Sequence, residues 1–147
     1  MNVTTGTARL YTPSVLSLAV ELAHYPMRPS LDLHGEARSS ACGSTLEIGL
    51  NCNPLGAIEE IGLRVSACAI GQASAAIFAR HAKGRSRADI SQTLDDLSMW
   101  LADGGAVPDW PDLPQIAAAQ AYPARHGAIL LPWKAAQQAL SNANIAR

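Results

Sequence analysis

A chain of 147 residues is long enough to bury a core without disulfide or metal staples, and its length suits one domain. With 11 basic against 12 acidic residues, a net charge of −1 and only 16% charged residues, it gives no electrostatic footing to nucleic acid or an anionic membrane surface. Hydrophobic residues make up 48%, a globular rather than a disordered composition, and no apolar stretch is long enough to span a bilayer.

In chain order, Met1-Asn2-Val3-Thr4-Thr5 lacks the basic start and apolar run of a signal peptide. Three cysteines, an odd number, are then expected as reduced thiols in a cytoplasmic protein. A first helix is predicted over Thr12 to His24: Thr12 can cap it, Pro13 suits the first helical position, and Val15, Leu18, Ala19 and Leu22 form an apolar stripe. Pro26 and Pro29 end it, and Tyr11, His24 and Tyr25 read as packing residues.

Three strands follow. Leu33 to Ser39 alternates loosely, and Thr45 to Cys52 alternates better, with Leu46, Ile48, Leu50 and Cys52 on one face. After the turn Asn53-Pro54-Leu55-Gly56 comes Ile58 to Val65, with Ile61, Leu63 and Val65 inward and Glu60, Gly62 and Arg64 outward. From Ala69 the spacing turns helical through Ala73, Ala76, Ile77 and Arg80, with Gly84 as the stop. Ser86-Arg87-Ala88-Asp89 resembles a capping box opening a stripe of Ile90, Leu94, Leu97 and Leu101, which runs to Ala102 before Gly104-Gly105. Val107 to Pro114 is a loop, Leu113 to Ala121 a short helix, and the last helix is predicted over Pro123 to Ser141, with Asn142 to Arg147 fraying. Strands first and helices after predict an α+β fold. Its parts are an N-terminal helix, a three-stranded antiparallel sheet and a C-terminal helical layer packed on the sheet, in one domain with its core over about 10–141.

The chemistry concentrates at Cys42 and Cys68. Cys68 falls where a strand gives way to a helix, at the end where unpaired N–H groups and the helix dipole favour a thiolate. Cys42 precedes another strand, so the two can face one site from adjacent strand ends. The other reading, two small buried hydrophobes, stays open. Cys52 shares a face with three aliphatic residues and reads as structural. Pro132, in the last helix, frees the carbonyl of Ala128. Either its kink reshapes the site or the helix simply bends at the surface.

Over Tyr11 to Leu140 the chain resembles the iron–sulfur cluster scaffold proteins of the IscU/SufU/NifU N-terminal type. The likeness rests on the opening helix ending in His24-Tyr25, on Ala41-Cys42-Gly43-Ser44, on Ser66-Ala67-Cys68-Ala69-Ile70-Gly71-Gln72-Ala73-Ser74, and on Arg125-His126-Gly127-Ala128 followed by Trp133-Lys134-Ala135. The third motif is similar to the SufU-type sequence Gly-Cys-Ala-Ile-Ser-Gln-Ala-Ser and is the most specific. The resemblance also marks departures: Ala128 stands at the third cysteine, Ser44 at the aspartate, and Gly127 where the IscU branch has histidine, with His126 one place back.

The resemblance implies a non-enzymatic scaffold that accepts sulfur on Cys42 and Cys68 from a cysteine desulfurase. It would hold iron, zinc or a transient iron–sulfur cluster through Cys42, Cys68 and His126, with Ser44 and Arg125 in support, and pass the cluster to acceptor proteins. Because Ala128 and Ser44 replace usual ligands, a homodimer pooling two copies of Cys42 and Cys68 is one way to complete the coordination. The alternative is a degenerate relative that relays sulfur or binds the desulfurase without holding a cluster. A thiol enzyme using His126 or His34 as its base is a further alternative.

Overall fold

The structure is a computed structural model, and it describes residues 10–145, with the side chains of 144 and 145 excepted. The expectations for Met1 to Thr5 and for the last two residues lie outside that range.

The helix α1 (Pro13–Glu21) is capped by Thr12, whose hydroxyl accepts from the Val15 N–H at 3.2 Å. Such a cap contributes about 1 kcal/mol. The predicted last turn is a 3-10 turn, Leu22–His24. The strands β1 (Leu33–Arg38), β2 (Thr45–Cys52) and β3 (Ile58–Ser66) form an antiparallel sheet in the order β1-β2-β3. Ile48 is paired with Gly35 on one side and Leu63 on the other, so this row shares one face with Leu46, Leu50, Ile61 and Val65. On that face lie α2 (Ala69–His81) and α4 (His126–Ile145), and α3 (Arg87–Asp103) packs against α4. The anticipated α+β architecture is present.

The opposite face is less open than its alternation suggests. Gly49 and Gly62 are direct cross-strand partners, and a side chain on either would strike Leu31. The chain between α1 and β1 therefore folds over the sheet there, and Gly62, expected to face outward, is buried.

Both sheet edges are dressed. The Leu63 N–H on β3 donates to the Tyr25 carbonyl at 2.8 Å. On β1, the Glu36 N–H donates to Gln138 Oε1 at 2.7 Å and the His34 carbonyl accepts from Asn142 Nδ2 at 2.8 Å. Asn142, expected to fray, is thus part of α4 and ties it to the sheet. At Gly35 the α4 backbone comes so close that a Cβ would meet the Ala135 carbonyl and the Ala139 nitrogen.

The core beneath the sheet is organised by Phe78, Trp110 and Trp133, with ring centroids 5.2–5.6 Å apart. The capping box of α3 is complete, with Ser86 and Asp89 each accepting from the other's N–H. Leu113–Ala121 is 3-10 rather than α and breaks at Ile116, and Pro123–Arg125 forms a separate 3-10 turn before α4. Pro132 is buried within α4, which overturns a bend at the surface. Beside it, the buried Ser74 hydroxyl donates to the Ile129 carbonyl at 2.7 Å, tying α2 to the turn that proline loosens.

Candidate functional site

The last pairs of the sheet, Arg38 with Thr45 and Thr45 with Ser66, fix where the chemistry lies. Cys42 sits three residues before Thr45 and Cys68 two after Ser66, so both cysteines emerge at the same end. The β1–β2 connection is closed by the Ser39 N–H donating to the Ser44 carbonyl and the Gly43 N–H to the Ser39 carbonyl, both at 2.8 Å. Gly43 adopts φ +73°, the left-handed region that glycine enters without strain. This tight turn presents Cys42 to solvent.

Two hydroxyls hold its sulfur. Ser39 Oγ is 3.4 Å and Ser44 Oγ 3.0 Å from Cys42 Sγ. In the thiol form S–H donates to Ser39; in the thiolate form the hydroxyls rotate to donate to sulfur. The bond to Ser39 is the main cause that draws the Cys42 thiol below its ordinary pKa, followed by the side chain and backbone of Ser44. Partial burial opposes the shift, and the Arg125 charge adds to it. Ser44 and Arg125 thus lie near enough to act on the Cys42 sulfur. Ser39 was missed because it reads as the end of a strand; its hydroxyl three residues before a cysteine was the available signal.

Cys68 is the N-cap residue of α2, in extended conformation, and its carbonyl accepts from the Gln72 N–H at 2.9 Å. The thiol makes no capping bond and is half-buried against the core. Gly71, one turn on, touches both Ala67 and Ala128: a Cβ there would lie 2.8 Å and 3.1 Å from their methyl carbons. The opening turn of α4 thus packs on the opening turn of α2. Gly127 packs on Ser39 in turn, so contacts run from Cys42 through Ser39, Gly127, Ala128 and Gly71 to the turn that Cys68 begins. The start of α4 therefore lies against the turn that carries Cys42, whose sulfur also feels the Arg125 charge, while Cys68 sits at the start of α2.

The remaining candidates are placed as follows. His126 opens α4, and its Nε2 is 2.7 Å from the Gln120 carbonyl. A carbonyl only accepts, so Nε2 carries the proton and only Nδ1 is left as a donor to metal. His34 is at the far end of β1 and His24 ends the turn after α1. His81, at the far end of α2 from Cys68, pairs with Asp112 at 2.7 Å. Cys52 lies at the other end of β2, where burial, reinforced by Glu59, pushes its thiol up. Among the described residues no three His, Cys, Asp or Glu side chains are grouped to hold a metal ion.

No family model matches the sequence, and no curated protein matches it. Solved structures do. A nitrogen-fixing NifU-like protein (N-terminal) from Brucella abortus superposes with a TM-score of 0.87 at 24% identity, over 97% of this chain and 99% of that one. A protein from the thermophile Fervidobacterium islandicum, assigned as an iron–sulfur cluster assembly scaffold for the SUF system, gives 0.76 at 18% identity, over 89% and 96%. At these identities the likeness is one of fold, and it extends over nearly the whole chain.

Proposed function

We propose that this chain is a scaffold-type protein of iron–sulfur assembly whose working group is Cys42, a thiol that accepts sulfur from a cysteine desulfurase. The observation that carries this is the pair of hydroxyls on an exposed, ionisation-prone sulfur, on a fold shared with NifU-like and SUF-system proteins. The Cys42 thiolate attacks the outer sulfur of the persulfide on the desulfurase. The S–S bond there breaks, a new one forms on Cys42, and the desulfurase thiolate leaves. Arg125 and the hydroxyls of Ser39 and Ser44 steady the anionic product. Hydroxyl partners in place of an imidazole favour an acceptor over a thiol enzyme. This chemistry needs reduced cysteines, as in the cytoplasm.

Iron or a cluster would be cargo, and one chain fits it poorly. Four-coordinate iron or zinc asks for four donors, thiolates by preference. Cys42 and Cys68 leave the sheet at one end and Cys42 has two neutral hydroxyls beside it, but among the described residues no three His, Cys, Asp or Glu side chains are grouped there. Ala128, fully buried, contributes no donor. This favours the reading in which sulfur is carried without a cluster held by a single copy. Holding one requires donors from outside the chain, from a second copy or from the acceptor.

The test is incubation with a cysteine desulfurase and labelled cysteine, with the bound sulfur located by mass spectrometry. Label is expected on Cys42 and lost in Cys42→Ser. Label confined to other cysteines, or none in the wild type, rejects the proposal. Anaerobic reconstitution with iron and sulfide, followed by absorption, then separates a cluster-holding scaffold from a sulfur carrier.

A further inference from the structure

We propose that Ser39 is the positioning residue of the Cys42 sulfur, and that Gly127 is bare because the Ser39 hydroxyl fills the space its side chain would take. The opening turn of α4 thereby governs the thiol. The inference rests on the reading of Cys42 as the sulfur acceptor.

The backbone of Ser39 is fixed from both sides, its N–H and carbonyl each closing the turn that carries Cys42. Its side chain is only 5% exposed, wedged between that turn and α4. A Cβ built on Gly127 would overlap Ser39 Oγ and stand 3.0 Å from Ser39 Cβ. The backbone does not explain this glycine, because Gly127 is not among the positive-φ residues. A glycine in a helix weakens it, so its presence asks for a reason of space. The hydroxyl that uses this space is the one 3.4 Å from Cys42 Sγ. Any side chain at 127 must expel it, and the sulfur then loses a donor. The other groups acting on the sulfur are Ser44 on the same turn and Arg125 from the turn before α4, and neither needs Gly127 to be bare.

The experiment follows alkylation of Cys42 by iodoacetamide across pH, resolved by peptide mass spectrometry, in wild type, Ser39→Ala, Gly127→Ala and the double variant. Cys52, at the far end of the sheet, reports in the same samples on whether the fold is intact. The Ser39→Ala profile is expected to move to higher pH, with several-fold slower reaction at neutral pH and Cys52 unchanged. Gly127→Ala should move it in the same direction, and the double variant should match Ser39→Ala rather than the sum. An unmoved Ser39→Ala profile, or two shifts that simply add, overturns the proposal. If Gly127→Ala does not fold, Ser39→Ala alone decides. Iodoacetamide needs no desulfurase, so shifted profiles with no sulfur uptake would reject the acceptor reading and leave the role of Ser39 standing. The opposite pattern would reject only the latter.

Discussion

Gly71 and Ala128 meet where α2 and α4 begin, so closely that a methyl on Gly71 would lie 3.1 Å from the Ala128 methyl. The position at which the resemblance expects a third cysteine is therefore a helix–helix contact.

Restoring sulfur there should not restore a ligand. Ala128 is fully buried, and extra atoms in a packed contact cost about 1–3 kcal/mol. Ala128→Cys is expected to fold with a lowered Tm and to show no additional fast-reacting thiol in a timed alkylation assay. A new, rapidly modified thiol would mean that the contact opens more readily than its packing implies.

Replacing Ser44 by the aspartate of the resemblance should trade one chemistry for another. Ser44→Asp puts a carboxylate near Cys42 Sγ, where the serine hydroxyl stood at 3.0 Å. Like charges disfavour each other's ionisation, so the alkylation profile of Cys42 should move to higher pH. Zinc or iron affinity, followed by titration, should rise as the neutral donor becomes an anionic one. A profile that moves to lower pH would show that the hydroxyl was not supporting the thiolate.

Acid should weaken the clamp at the other end of α2. Arg80 grips Glu21 with two bonds of 2.6 Å and reaches Asp112 at 3.1 Å, while His81 bonds the same carboxylate. The bond from His81, then those from Arg80 and Gln115, holds Asp112 below the usual carboxylate range despite partial burial; the bond from Arg80 does the same for Glu21. Because the folded values are depressed, this stabilisation is present above the ordinary range near pH 4 and is lost as pH falls through the lowered values. Asp112→Asn keeps a residue type that tolerates φ +71° and removes the charge. It should cost about 1 kcal/mol at neutral pH, and the difference from wild type should shrink in urea melts taken in progressively stronger acid.

The three-ring core should tolerate a smaller ring better than none. Trp133 Nε1 is buried and, among the described residues, has no hydrogen-bond partner. Trp133→Phe removes that unpaired donor while keeping an aromatic ring, so it should cost much less than Trp133→Ala, for which about 3–5 kcal/mol is expected. Denaturant unfolding of the two variants checks the ordering.

The three strands and the caps of α1 and α3 were legible because each rests on a local signal: alternation at Leu46, Ile48 and Leu50, a threonine before Pro13, a serine before Asp89. The site was legible only in part. Cys42 and Cys68 stand out as candidates from the strand ends they adjoin, and Ser44 and Arg125 from the resemblance. Ser39 does not, because it reads as the end of a strand although it lies three residues before Cys42. Its packing on Gly127 forms only after α4 has crossed β1, a contact between segments far apart in the chain. The same distance hid the burial of Ala128 under Gly71 and the closing of β1 by Asn142, whose polar sequence neighbourhood reads as a fraying end.

With the Leu63 N–H taken by Tyr25 and the middle of β1 occupied by two amide side chains from α4, the sheet offers neighbouring molecules no ready seam for strand addition. The molecule can then present a reactive sulfur at one tip without inviting the fibrous association that exposed strand margins provoke. Under the proposed function, a partner that exchanges sulfur with Cys42 approaches end-on, at the turn that carries it.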